Sequence, residues 1–114
     1  LDPVFSSGVT IAMQSAAMAC ASLNKQLKGE VVDWQADYAQ PLMLGVNTFR
    51  TYVQAWYDGR FQDVIFYQQA SNNIKQMICS ILAGYAWDTH NPFVKESERR
   101  LNTIVELCRE LDVA

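Results

Sequence analysis

The stretch Gly8-Val-Thr-Ile-Ala-Met-Gln-Ser-Ala-Ala-Met-Ala-Cys-Ala-Ser-Leu-Asn-Lys-Gln-Leu27 decides the fold class. Its apolar residues Val9, Ala12, Met13, Ala16, Cys20, Leu23 and Leu27 recur at spacings of three and four, which places them on one stripe of an α-helix. Ala17, Ala19 and Ala21 keep the other faces small, so the helix suits close approach to neighbours on more than one side. Some of this apolar surface is expected to meet a surface outside the chain. Lys28-Gly29 ends the helix, because lysine suits the negative end of the helix dipole and glycine can take the left-handed cap.

Outward from this helix the same periodicity continues. A second helix is expected from near Glu30 or Asp33, turning Trp34, Tyr38, Leu42, Phe49, Tyr52, Val53 and Trp56 to a common side. Pro41 lies inside it. Proline lacks a backbone donor and clashes with the preceding turn, which predicts a kink or break around Asp37 to Gln40. Asp58-Gly59 reads as a turn, followed by a short helix over Gln62 to Gln69. Ser71 is a candidate N-cap for a helix over Asn72 to Gly84 that buries Ile74, Met77, Ile78, Ile81 and Leu82. Asp88 to Pro92 is a loop. Asn91-Pro92 opens the last helix, with Leu101, Ile104, Val105, Leu107, Cys108 and Leu111 inside and a nearly balanced charged face from Lys95 to Glu110 outside. With no strand pattern, internal repeat or low-complexity segment, the fold class is all-α with four to five helices.

Composition narrows the function. The 114 residues fit one small domain, and Leu1 in place of an initiator Met reads as a piece of a longer chain. Half the residues are hydrophobic, which excludes intrinsic disorder. The net charge is -3 with no lysine and arginine cluster, so nucleic acid is not an expected partner. Val9 to Ala21, the most apolar run, is too short for the roughly 20 residues of a membrane span. Cys20, Cys79 and Cys108 are widely spaced among apolar neighbours beside the single histidine, His90. They read as small buried hydrophobes in a reducing cytoplasm, and metal is not expected. From Phe61 to Phe93 only Asp63, Lys75 and Asp88 are charged, among six aromatics, so this stretch is either the core or a surface for something else.

One segment carries chemistry. Ser6-Ser7-Gly8 runs directly into the first helix, whose opening turns hold no acidic residue. Free N–H groups and the positive dipole end converge there, and glycine lets a ligand approach the backbone. On local pattern a serine N-cap is the plainer reading, with an anion or carbonyl-oxygen site as the other.

The run Asp2-Pro-Val-Phe-Ser-Ser-Gly-Val9, with Ser15-Ala16-Ala17 behind it, resembles the segment after the second FAD-binding motif of flavin-dependent halogenases and their monooxygenase-like relatives. Looser likenesses follow at Tyr52 to Asp58, Phe61 to Phe66, Ile81 to Gly84 and Asn91 to Phe93. The resemblance implies that residues 1–29 end an FAD-binding domain on which the first helix packs, and that residues 30–114 form a C-terminal helical subdomain. It further implies cofactor contacts from Asp2, Pro3, Phe5, Ser6, Ser7, Gly8 and Val9, with the Ser7 and Gly8 amides facing the flavin's pyrimidine edge and a bound chloride or bromide.

Catalytic residues would lie upstream of Leu1. The implied chemistry is oxygen activation by reduced FAD, a partner flavin reductase as electron supplier, and an aromatic substrate that is free or carrier-bound. A homo-oligomer is compatible with it. Tryptophan-specific members carry a glutamate where this chain has Phe5, so the resemblance is to the branch acting on phenols, pyrroles or carrier-bound aromatics. The departure keeps a related FAD-dependent reductase or monooxygenase open, beside a free-standing helical interaction module.

There is no GxGxxG and no sheet for one. Lys25 and Lys28 stand about 26–30 Å along the helix from Gly8, too far to serve as an active-site lysine. His90 reads as a surface histidine.

Overall fold

A computed structural model of the chain describes residues 7–68 and 71–113. Every regular element among them is helical: α1 (Ser7–Leu27), a π-helical turn (Gln35–Ala39) continuous with α2 (Gln40–Tyr57), α3 (Arg60–Ile65), α4 (Asn72–Leu82), α5 (Pro92–Lys95) and α6 (Ser97–Val113). The expected all-α class holds, with α1, α2, α4 and α6 as long helices and α3 and α5 as short ones.

Local chemistry sets the ends. At the close of α1, Gly29 takes φ +86°, its N–H bonds Gln26 O at 3.0 Å and the Glu30 N–H bonds Lys25 O at 3.1 Å, the two bonds of a Schellman cap. Gly84 (φ +108°) repeats this after α4, through Gly84 N–H to Ile81 O and Tyr85 N–H to Ser80 O. Ahead of the π turn, Asp33 Oδ1 accepts from the Gln35 and Ala36 N–H groups, and Asp37 Oδ2 accepts from the Asp33 N–H. This is capping-box reciprocity stretched by one residue.

The expected kink before Pro41 takes the form of the π turn. Gln40 N–H reaches back five residues to Gln35 O, and Pro41, which has no N–H to offer, falls where the register returns to α. Ser71 holds the N-cap position of α4 through its carbonyl, with no side-chain bond. The short helix after Asp58-Gly59 starts at Arg60, two residues before the expected Gln62, because Asp58 Oδ1 takes the Arg60 N–H at 3.1 Å. The last expected helix is two helices. Asn91 caps α5 by accepting from the Phe93 N–H, and Glu96, at φ -133° and ψ 52°, breaks the path before α6.

The core is built by α2 to α6. It contains Phe49, Tyr52, Ala55, Phe61, Val64, Ile78, Ile81, Ala86, Phe93, Val94, Leu101, Val105 and Cys108. Phe61 meets Tyr52 and Trp56 edge to face at 6.0 and 5.9 Å, and Phe49 meets Trp87 at 6.0 Å, geometries that aromatic quadrupoles favour. The Tyr52 hydroxyl donates to Phe93 O, and Asn91 Nδ2 donates to Met77 O, tying the α4–α5 connection to its neighbours. The weakly charged stretch from Phe61 to Phe93 supplies Phe61, Val64, Ile78, Ile81, Ala86 and Phe93 to the core, while Phe66 and Tyr85 are exposed.

Helix α1 keeps its apolar stripe off the core, as expected of a helix whose apolar residues meet a surface outside the chain: Val9, Ala12, Met13, Ala16, Cys20, Leu23 and Leu27 are all exposed, Met13 at 70% and Leu27 at 79%. The inward face is Ser7, Ile11, Ser15, Met18 and Ser22, with Ser7 and Ser22 buried and Ser15 Oγ 2.7 Å from the Tyr38 hydroxyl. Its polarity is inverted relative to a helix that lies on its own core. It extends along α2 and the π turn and draws the molecule out to 62 × 25 × 21 Å. The radius of gyration of 16.7 Å exceeds the about 13 Å of a compact chain of this length.

Some expected burials fail. Cys20 lies on the outward α1 stripe and Cys79 on the outer face of α4, leaving only Cys108 as a buried cysteine. Leu107 and Leu111 are exposed on α6. The expected common side of the second helix is divided: Trp34 and Tyr38, edge to face at 5.9 Å, belong to the α1 side, whereas Phe49 and Tyr52 enter the core.

Candidate functional site

The N-terminus of α1 is where the sequence placed its chemistry. Asp2, Pro3, Phe5 and Ser6 lie outside the described residues. Ser7 is already helical, as the first residue of α1. The Ser7 side chain is buried against α2, Gly8 is half-buried, and Val9 turns 69% exposed to the outward stripe. Ser7 and Gly8 therefore sit together at the helix mouth, while Val9 faces away from α2. The first turn holds no carboxylate, leaving the positive end of the dipole uncompensated by its own helix.

Beside Ser7 lies a hollow of about 380 Å³ between α1 and α2, lined by Ser7, Ile11, Val46, Phe49, Arg50, Val53 and Gln54. Sequence reading placed Phe49 and Val53 in the second helix's apolar set and gave Arg50 and Gln54 no role. The signal was present as the spacing 46, 49, 50, 53, 54, one face of a helix, but only the crossing of α1 over α2 makes it a wall.

The remaining candidates take scaffold or surface places. Lys25 ends α1 and Lys28 follows it, at the far end from Ser7. The His90 ring is exposed, with Nδ1 3.2 Å from Asp88 Oδ1. Among the described residues no three His, Cys, Asp or Glu side chains converge as metal ligands, and no helix is long and apolar enough to cross a membrane.

The perturbed titrations also belong to the scaffold. Burial, reinforced by the negative charge of Glu98, pushes the Tyr52 phenol well above its ordinary value. Hydrogen bonds from Arg60 hold the Asp58 carboxyl below the usual carboxylate range. Arg60 also reaches Glu98 at 2.7 Å and Asn102, clamping the α2–α3 turn onto α6, and Arg109 pairs with Asp63 at 2.7 Å to the same effect.

No protein-family model matches the chain, and no curated protein does. Among solved structures the chain is similar to part of a flavoprotein. That protein is the flavoprotein/dehydrogenase from Cytophaga hutchinsonii, whose crystal structure superimposes with a TM-score of 0.91 at 43% sequence identity. The similarity covers 98% of this chain and 28% of that one, so this chain spans little more than a quarter of the flavoprotein's length.

Proposed function

We propose that this chain is the C-terminal portion of an FAD-dependent oxidoreductase. The observation that carries the proposal is the 43% identity to a flavoprotein/dehydrogenase maintained over 98% of the chain. In this reading residues 1–29 complete an FAD-binding domain and residues 30–114 form a helical subdomain beside it. The inverted polarity of α1 supports the division. Serines face the helical subdomain, and Val9, Met13, Ala16, Cys20, Leu23 and Leu27 form an apolar face that a flavin-binding domain would cover.

The residues present fit the cofactor. The opening turn of α1 offers N–H groups without helical acceptors, no first-turn carboxylate competes with them, and Gly8 presents backbone without a Cβ. Ser7 and Gly8 would hold the electron-rich pyrimidine edge of FAD, and a chloride or bromide if the protein halogenates. Asp2, Pro3, Phe5, Ser6 and Val9 are the proposed flanking contacts. Reduced FAD supplies the redox chemistry when bound, and the chain's own part would be to fix donors where negative charge gathers.

The motif Asp2 to Val9 favours halogenase-like oxygen activation on an aromatic or carrier-bound substrate, with reduced flavin delivered by a partner reductase. Two observations favour a second reading, a related FAD-dependent reductase or monooxygenase. The similar crystal structure is described as a dehydrogenase, and Phe5 replaces the glutamate of tryptophan-specific halogenases. Incubating the longer protein with reduced FAD, oxygen and bromide, and weighing the products of phenol and pyrrole probes, separates the readings. Brominated products support the first and hydroxylated or reduced ones the second; a purified protein that neither carries nor binds FAD overturns both.

A further inference from the structure

We infer that the hollow between α1 and α2 binds a small amphipathic acid, an apolar body ending in a carboxylate. Its floor is the buried pair Ser7 and Phe49, its walls are the partly buried Ile11, Val46 and Val53, and its rim is the exposed Arg50 and Gln54. The volume of about 380 Å³ falls in the range of small-molecule sites, roughly 300–1,000 Å³.

The chemistry of the lining selects the ligand. It carries one cation and no acidic side chain. Arg60, Arg99, Arg100 and Arg109 are all engaged with carboxylates, whereas Arg50 has no carboxylate partner among the described residues. A guanidinium holds a carboxylate through two parallel charge-assisted hydrogen bonds, and Gln54, four residues on along the same face, adds an amide donor. Behind this polar rim Ile11, Val46, Phe49 and Val53 present hydrocarbon, with Ser7 as the polar exception, which favours an aliphatic or aromatic body and disfavours a sugar. An amine is disfavoured by the sign of the only charge. Ser7 is shared with the proposed flavin site, while Arg50, Gln54 and the apolar walls have no part in it, so the two proposals can fail separately.

Calorimetric titration of the longer protein with decanoate, and with decanol as the uncharged probe, tests it. The expected result is saturable 1:1 decanoate binding that Arg50→Gln weakens about tenfold or more, Arg50→Lys weakens less, and Arg100→Gln leaves unchanged. Decanol binding is expected to be equal in all four proteins. Thermal melting establishes that each variant is folded, and flavin absorbance of the same samples reports separately on the cofactor. Absence of saturable decanoate binding, or equal decanoate affinity in the parent and Arg50→Gln, overturns the inference.

Discussion

The indole of Trp87 lies directly on the backbone of Gly45: a Cβ at Gly45 would collide with Trp87 Cε2. The same indole donates from Nε1 to Pro41 O at 3.0 Å, one turn earlier on the same face of α2. A glycine inside a helix costs about 1 kcal/mol relative to alanine, so Gly45→Ala on propensity alone would stabilise. Contact wins here, because the neighbour is a wedged ring rather than a flexible tip. Gly45→Ala is expected to destabilise by about 1–3 kcal/mol in denaturant unfolding. In a double-mutant cycle with Trp87→Ala the penalties should be less than additive, since removing the ring makes room for the methyl.

Tyr52 joins packing to pH. Its folded pKa is raised above the ordinary 10.0, so the stability linked to its protonated, hydrogen-bonded form is complete below pH 10.0 and is lost as pH rises above it. Tyr52→Phe leaves Phe93 O without its buried donor and is expected to cost about 1–3 kcal/mol at neutral pH. It should also flatten the alkaline limb of a stability-against-pH curve. A limb of unchanged slope would assign the alkaline loss to other groups.

At the acid end the sign is opposite. Asp58 has a lowered folded pKa because Arg60 donates to it, so its contribution is present above the ordinary 3.8 and disappears as pH falls through that value and below. Arg60→Met, which also frees Glu98 and Asn102, is expected to move the acid-unfolding midpoint to higher pH with little change in the alkaline limb. Acid titration followed by far-UV circular dichroism reads this directly.

The outward face of α1 makes a contrasting prediction. Met13→Lys and Leu23→Lys replace exposed side chains, so the helical subdomain should keep its stability to within about 0.5 kcal/mol. If a flavin-binding domain covers this face, as proposed, the same changes in the longer protein would bury a charge and should reduce soluble, flavin-containing protein sharply. Equal yields of flavin-loaded parent and variant would show that nothing covers this face.

These elements also show what a sequence can reveal. The α1 end at Gly29, the Asp58-Gly59 turn, Ser71 as the cap position and the Asn91-Pro92 helix entry were legible because each rests on chemistry within a few residues. Periodicity found the α1 stripe, and its exposure agrees with the expectation that the Ala-rich helix meets a surface outside the chain. A spacing of three and four reports that a face is apolar without naming what covers it, and nothing in the described chain covers Met13 or Leu27. Leu107 and Leu111 failed for that reason. For the candidate site, Ser7 and Gly8 at a helix mouth were legible, but the hollow and Arg50 were not, since they exist only where two helices cross.

The central claim is that the opening turn of α1 holds the flavin. Gly8→Leu in the longer protein tests it most directly, because residue 8 already has helical geometry that leucine accepts, and the side chain would stand where the proposal puts the cofactor against the backbone. The account predicts a folded protein whose bound FAD, measured by absorbance after gel filtration, falls to a small fraction of the parent's. A folded Gly8→Leu protein that retains the parent's full complement of FAD would contradict it.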